Sequence, residues 1–134
     1  MANKAKKIII RPARKSDGKN ISSFLRSFPK EQVLQNYFPD YKTSFVAVDL
    51  KGRVIGHCGL DISKTGLAEL RSLAVAKEYR RLGIASKLVT KCVKLARRKK
   101  MWEVFAVTGA EKFLKTQGFR NLPKHMVFLF KDIN

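Results

Sequence analysis

The residues with the most chemical potential lie in one stretch, ELRSLAVAKEYRRLGIASKLV, from Glu69 to Val89. Arg80 and Arg81 stand just ahead of Gly83, Ala85 and Ser86, where an apolar run gives way to a helical pattern. The first amides of a helix lack intrahelical acceptors and its dipole is positive there, so such a start receives anions. Gly83 has no side chain and Ala85 a very small one, so a phosphate can come close to the backbone. Together these residues have the chemistry of a pyrophosphate cradle. The GKS or GKT of a P-loop and the GxGxxG of a dinucleotide fold are both missing. Upstream in the same stretch are Glu69 and Arg71. Two residues along a strand is about 7 Å, and alternation groups Glu69, Arg71, Leu73 and Val75 on one face. The guanidinium can clamp a carboxylate in two-pronged fashion. The alternative is a structural ion pair from Arg71 to Glu69 or Asp61.

These groups need elements to hold them. KIIIRPA reads as a first strand stopped by Pro12. Ser16-Asp17 is a candidate cap for a helix over about 17–27, with Ile21, Phe24, Leu25 and Phe28 on one side. PKEQVLQNYF reads as a second helix, opened by Pro29. SFVAVDL and RVIGHCGLDI, with a tight turn at Lys51-Gly52, form a hairpin. LAELRSLAV is a further strand. From Arg81 to about Lys99 the pairs Ile84/Ala85, Leu88/Val89, Cys92/Val93 and Leu95/Ala96 recur at helical spacing. Lys87, Lys91, Lys94 and Arg98 take the other side, and the basic end suits the helix dipole. MWEVFAVT is predicted as a strand, GAEKFLKTQGF as a helix ended by Gly118, and HMVFLFKDI as the last strand. The order predicts a mixed α/β (α+β) domain over residues 1–134, with antiparallel neighbours and one parallel strand–helix–strand crossover.

The 134 residues suit one domain. Hydrophobic residues make up 45% of the chain, enough for a core without metal or disulfides. Cys58 and Cys92 match no zinc or redox spacing, so a reducing, cytoplasmic setting is expected. The short apolar run after the first lysines is too brief for a secretory signal, and no segment approaches membrane-span length. The formal charge of +19 attracts polyanions. Weak, nonspecific nucleic-acid binding is one expectation; a merely solvated basic surface is the other. No His, Cys and Asp cluster has metal spacing. His57 and His125 are read as structural or surface residues, Cys92 as core, and Trp102 as core or interface.

LAVAKEYRRLGIASKLV resembles the acetyl-CoA-binding core of the GNAT superfamily of N-acetyltransferases. Its Gln/Arg-x-x-Gly-x-Gly/Ala signature is met by Arg80, Gly83 and Ala85. EKFLKTQGF and MVFLFKDI resemble the family's later helix and last strand, so the likeness spans almost the whole chain. It implies a GNAT-type sheet with helices on both faces and acetyl-CoA as acetyl donor, with no metal. It implies that backbone groups of Leu73, Ala74 and Val75 hold the pantetheine arm, with the Val75 N–H toward the thioester carbonyl. Amides of Arg81, Leu82, Gly83, Ile84, Ala85 and Ser86 would take the pyrophosphate, beside Arg80.

For such a reaction the resemblance points to Glu69 as general base, and Arg71 becomes a candidate for holding an acceptor carboxylate. Thr108 stands where many members have an asparagine; it would bind the pantetheine or cap the next helix. Leu114 replaces the tyrosine that often serves as general acid; Cys58, Tyr37, Tyr41 and Ser72 are the candidate substitutes, and protonation by water, or by the amine's proton through Glu69, is the other route. The chain looks most like the small amino-acid N-acetyltransferases related to N-acetylglutamate synthase, with a small-molecule amine as acceptor and a homodimer left open. The rival expectations are a protein or peptide acetyltransferase, an enzyme detoxifying amines, and a non-catalytic module for acyl-CoA or nucleic acid.

Overall fold

The computed structural model describes residues 7–29, 33, 40–126, 129 and 131. The elements are β1 (Ile9–Pro12), α1 (Gly18–Arg26), β2 (Ser44–Val48), β3 (Val54–Ile62), β4 (Leu67–Val75), α2 (Ile84–Arg98), β5 (Glu103–Phe105) and α3 (Glu111–Thr116). Among the described residues one sheet forms, in the order β1-β2-β3-β4-β5. The first three pairings are antiparallel and β4–β5 is parallel, joined by α2 as the crossover. The mixed fold expected from the element order is therefore present. The predicted helix over 29–38 and the predicted strand over 125–133 fall largely outside the described residues.

The larger core lies between the sheet and α2. Ile84, Leu88, Val89, Cys92, Leu95 and Ala96 are the buried residues of α2, which is the predicted apolar stripe. They meet Phe45, Ala47, Cys58, Leu60, Ala68 and Leu70 of the strands, and Leu114 of α3. Gly56 sets how close α2 comes. A methyl group there would stand 3.2 Å from both the Ala47 Cβ and Leu88 Cδ1, tighter than ordinary contact. On the opposite face α1 buries Ile21 and Leu25 against Ala13, Val33, Val46, Val48 and Ala74. Helices thus cover both faces.

Two acidic residues secure the flanking turns. Asp17 does not cap α1 through its side chain. Its carboxylate accepts from Arg11 Nη1 at 2.7 Å, Arg11 Nη2 at 2.9 Å and the Arg14 N–H at 2.6 Å. The Arg11 hydrogen bonds hold this carboxyl below the usual range. They tie the entry of α1 to β1, which is why the expected cap is diverted. In the β2–β3 turn, Asp49 accepts from the Lys51 and Arg53 backbone N–H groups, each at 2.9 Å, and from Arg53 Nε at 2.7 Å.

Two expectations change. The predicted strand over MWEVFAVT shrinks to Glu103–Phe105. Trp102 is not core: it is 84% exposed, and its ring lies where a methyl group added to Gly66 would meet it at 3.4 Å.

Candidate active site at the fork of β4 and β5

The parallel ladder pairs Leu67 with Glu103, Ala68 with Val104 and Glu69 with Phe105, and there β5 ends. β4 runs on to Val75. Its far edge is left open because the short β5 offers it no further rungs. The fork opens where β5 ends.

A bulge then reshapes β4. Gly59 pairs with Arg71 but His57 pairs with Ala74, so Ser72 and Leu73 together oppose Cys58. Ser72 sits at φ 54°, in the left-handed region uncommon for residues other than glycine. A bulge switches the face on which later side chains fall. The expectation that Glu69, Arg71, Leu73 and Val75 share one face is therefore overturned. Leu73 and Val75 join Ala68 and Leu70 on the α2 side, while Ala74 packs on the α1 side. Glu69 and Arg71 keep the same face as each other.

Backbone direction along the open edge follows from one hydrogen bond. The Ala76 N–H donates to Ile55 O at 2.8 Å, toward β3. Alternation then turns the N–H and C=O groups of Val75 and Leu73 away from β3, to the open edge. The Val75 carbonyl accepts from Arg80 Nε at 3.2 Å, so Arg80 fastens the end of β4 to the loop before α2.

At the helix start, Gly83 has φ 76° and ψ 11°, a conformation that costs most residues with a Cβ about 1–2 kcal/mol. Arg81 is also left-handed, at φ 65°. The Lys87 N–H donates to Gly83 O at 3.1 Å, which begins the helix and leaves the Ile84, Ala85 and Ser86 amides without intrahelical acceptors. A methyl group built on Gly83 would meet nothing within 4 Å, so the space beside this helix start is open. The Ser86 hydroxyl donates to Gln117 Oε1 at 2.9 Å, joining α2 to the end of α3.

A cleft of about 370 Å³ connects the strand edge to the helix start. Leu73, Ala74, Val75, Arg80, Arg81, Gly83, Ile84, Ala85 and Ser86 all line it. Leu82 does not; it packs against the main core. Thr108 lies apart, in the cleft between β5 and α3, and its Oγ1 accepts from the Ala110 N–H at 2.8 Å at the start of α3. That bond closes a turn ahead of α3, whose N-cap is Ala110 with no side-chain cap of its own.

Phe28, Val33, Tyr79 and Phe113 complete the cleft wall. None was singled out in the sequence for this position. Tyr79 could have been noticed as the tyrosine adjoining Arg80. Among the candidate acids, Cys58 is fully buried, and burial raises its thiol pKa well above the usual range. Tyr41 lines a different cleft beside α1, Tyr37 lies outside the described residues, and Leu114 is core.

On the α1 side of β4, Glu69 stands opposite Asp61. Arg71 reaches both: Nη1 lies 3.7 Å from Asp61 Oδ2, and Nε lies 3.8 Å from Glu69 Oε1. Both distances exceed hydrogen-bond range, so these are loose ion pairs. The Arg71 and Glu69 side chains keep 20% and 21% of their exposure. On the same face, His57 is fully buried and its Nδ1 lies 2.8 Å from Ser72 O. Burial pulls its pKa down to about 4. His125 is exposed. Among the described residues there is no cluster able to hold a metal ion, and no helix is long and apolar enough to cross a membrane.

A five-stranded mixed sheet with one forked parallel pair and helices on both faces is a fold shared with acetyltransferases. Residues 15–119 match the Acetyltransferase (GNAT) family, and the chain belongs to it. It is an acetyl-CoA-dependent N-acetyltransferase. An uncharacterized N-acetyltransferase of Chlorobaculum tepidum is 34% identical over 120 residues, covering 86% of this chain and 77% of that protein. The N-terminal acetyltransferase complex ARD1 subunit homolog of Dictyostelium discoideum is 33% identical over 72 residues, or 52% of this chain and 36% of that protein. Among solved structures, Rv2747 from Mycobacterium tuberculosis, in complex with CoA and NLQ, superposes with a TM-score of 0.78 at 26% identity, covering 86% of this chain and 73% of that one. The N-acetylglutamate synthase of Neisseria gonorrhoeae has a TM-score of 0.76 at 17% identity, over 90% of this chain and 30% of its own length, which is a likeness of fold.

Proposed function

We propose that this enzyme acetylates the primary amine of a small acceptor that also carries a carboxylate, most simply an amino acid, with Glu69 as general base. The carrying observation is that Glu69 occupies the last rung before β4 and β5 part, with Arg71 two residues on. The cleft fits an elongated donor with a phosphate end: its strand side offers free backbone groups and its helix side offers open space and free amides. Leu73, Ala74 and Val75 would hold the pantetheine arm. Amides from Arg81 to Ser86, with Arg80 at the entrance, would hold the pyrophosphate. Acetyl-CoA supplies the activated acetyl group as a thioester.

The remaining chemistry belongs to this chain. A protonated amine cannot attack, so Glu69 accepts its proton, directly or through water. An edge-facing amide stabilises the negative charge developing on the carbonyl oxygen. Val75 is about 20 Å from Glu69 at strand spacing, so the Leu73 N–H, on the same edge and nearer, serves that task more readily than the Val75 N–H. Arg71 exchanges its loose contacts with Asp61 and Glu69 for the acceptor carboxylate. Tyr79, on the cleft wall, is the candidate to return a proton to the departing thiol.

A peptide amine is the second reading, favoured by the likeness of part of the chain to the Dictyostelium N-terminal acetyltransferase homolog. A screen of acetyl-CoA against amino acids, polyamines, capped lysine peptides and peptides with a free N-terminus, read as free thiol, separates them. Turnover with dicarboxylic or neutral amino acids supports the proposal. Turnover confined to peptides transfers the assignment to the second reading. No thiol release with any acceptor in the panel, beside tight nucleic-acid binding that coenzyme A leaves unchanged, supports a binding module.

A further inference from the structure

Among the described residues, His57 Nε2 is the one buried side-chain polar atom without a hydrogen-bond partner. The other ring nitrogen, Nδ1, lies 2.8 Å from the Ser72 carbonyl. A carbonyl only accepts, so Nδ1 carries the proton and Nε2 is a bare lone pair. An apolar residue would fill this site without leaving a polar atom orphaned. The imidazole is kept where β4 is most irregular. Ser72, at φ 54°, is where the β3–β4 register slips. A side chain in the left-handed region persists only where its surroundings over-determine it. His57 can do so because its own backbone is fixed by neighbours on both sides, Val46 on β2 and Ala74 on β4.

We propose that His57 is a positioning residue: its Nδ1–H locks the Ser72 bulge and so aims the Leu73 and Val75 amides out of the open edge of β4. The proposal rests on the reading of that edge as the acetyl-donor site. Its logic is one of register. A bulge that drifts by one residue reverses the side to which every following amide and side chain points. The helix-start amides at Ile84–Ser86 belong to another element and do not depend on it. Loss of the His57 bond should therefore damage the chemical step more than coenzyme A binding.

The test compares His57→Phe, which removes the donor, with His57→Asn, whose amide N–H sits near the place of Nδ1. For each, kcat and KM are measured by thiol release with the best acceptor, coenzyme A affinity by calorimetry, and the Leu73 and Val75 amide shifts with and without coenzyme A. His57→Phe should lower kcat roughly 10–100-fold, somewhat less than outright removal of an oxyanion donor, while coenzyme A affinity stays within about 3-fold. His57→Asn should recover most of kcat. A folded His57→Phe enzyme with native kcat overturns the proposal, as does one that only melts earlier. If His57→Phe does not fold, His57→Asn is set against His57→Gln, which carries its N–H one bond too far; equal kcat in those two overturns it. If the Leu73 and Val75 amides of the native protein ignore coenzyme A, the donor-site reading fails and takes this proposal with it. If they respond alike in native protein and His57→Phe, the donor site stands and the role of His57 falls.

Discussion

Glu69 and Phe105 form the last rung of the parallel β4–β5 ladder, and the strands share no further pairing beyond it. A carboxylate is thus held at the mouth of a fork whose open edge leads, through Val75 and Arg80, to the start of α2.

Glu69→Gln preserves shape and removes proton acceptance. The rate should fall roughly 10²–10⁴-fold, the usual range for a general base. Coenzyme A affinity should be unchanged. Thiol-release assays from pH 6 to 9 check this, and native rates throughout would reduce Glu69 to a partner of Arg71.

Gly83→Glu puts a side chain and a negative charge into the open space beside the start of α2. It also strains the left-handed backbone at φ 76° by about 1–2 kcal/mol. Gly83→Asn, a residue that tolerates this backbone, controls for the strain. Saturating coenzyme A should stabilise the native protein by a few kcal/mol and Gly83→Glu hardly at all. Equal thermal shifts in the two proteins would remove the pyrophosphate from this helix start.

Arg71→Ala should raise KM for acceptors bearing a carboxylate far more than for an uncharged amine, because the lost binding is specific to that group. It also leaves Asp61 and Glu69 facing each other across the ladder without the cation between them. A uniform rise in KM across all acceptors would exclude the carboxylate clamp.

His57 makes stability depend on pH. Its folded pKa is about 4 because of burial, against an ordinary 6.5. Between those values the unfolded chain binds the extra proton, so this contribution is fully present above pH 6.5 and is lost as pH falls toward 4. The loss is roughly 3 kcal/mol at most. Urea midpoints measured from pH 7.5 to 4 should fall steeply in the native protein, and less steeply, by one proton, in His57→Asn.

The outer side of α2 carries Lys87, Lys91, Lys94, Arg97 and Arg98 with no acidic residue on the helix. Short RNA or DNA duplexes should bind weakly, and log affinity should fall linearly with log salt through counterion release. Sequence-selective binding that survives high salt would instead favour the nucleic-acid module.

Much of this was legible in the sequence because local rules govern it. The α2 stripe from Ile84 to Ala96 is a matter of helical spacing, and the hairpin at Lys51-Gly52 is a matter of turn chemistry. The anion-receptive helix start needs only a small residue where orphaned amides begin. Tertiary contacts decided the rest. The face on which Leu73 and Val75 fall depends on a bulge at Ser72, held by His57 from another strand, and strand alternation carries no sign of it. The length of β5, and with it the fork at Glu69, depends on where the chain leaves the sheet for α3, since Val104 to Thr108 read locally as continuing strand. Arg71 stands between two carboxylates because Asp61 is brought opposite Glu69 by β3–β4 register. Such pairings join residues distant in the chain, and register is set by the packed sheet as a whole, not by any single segment.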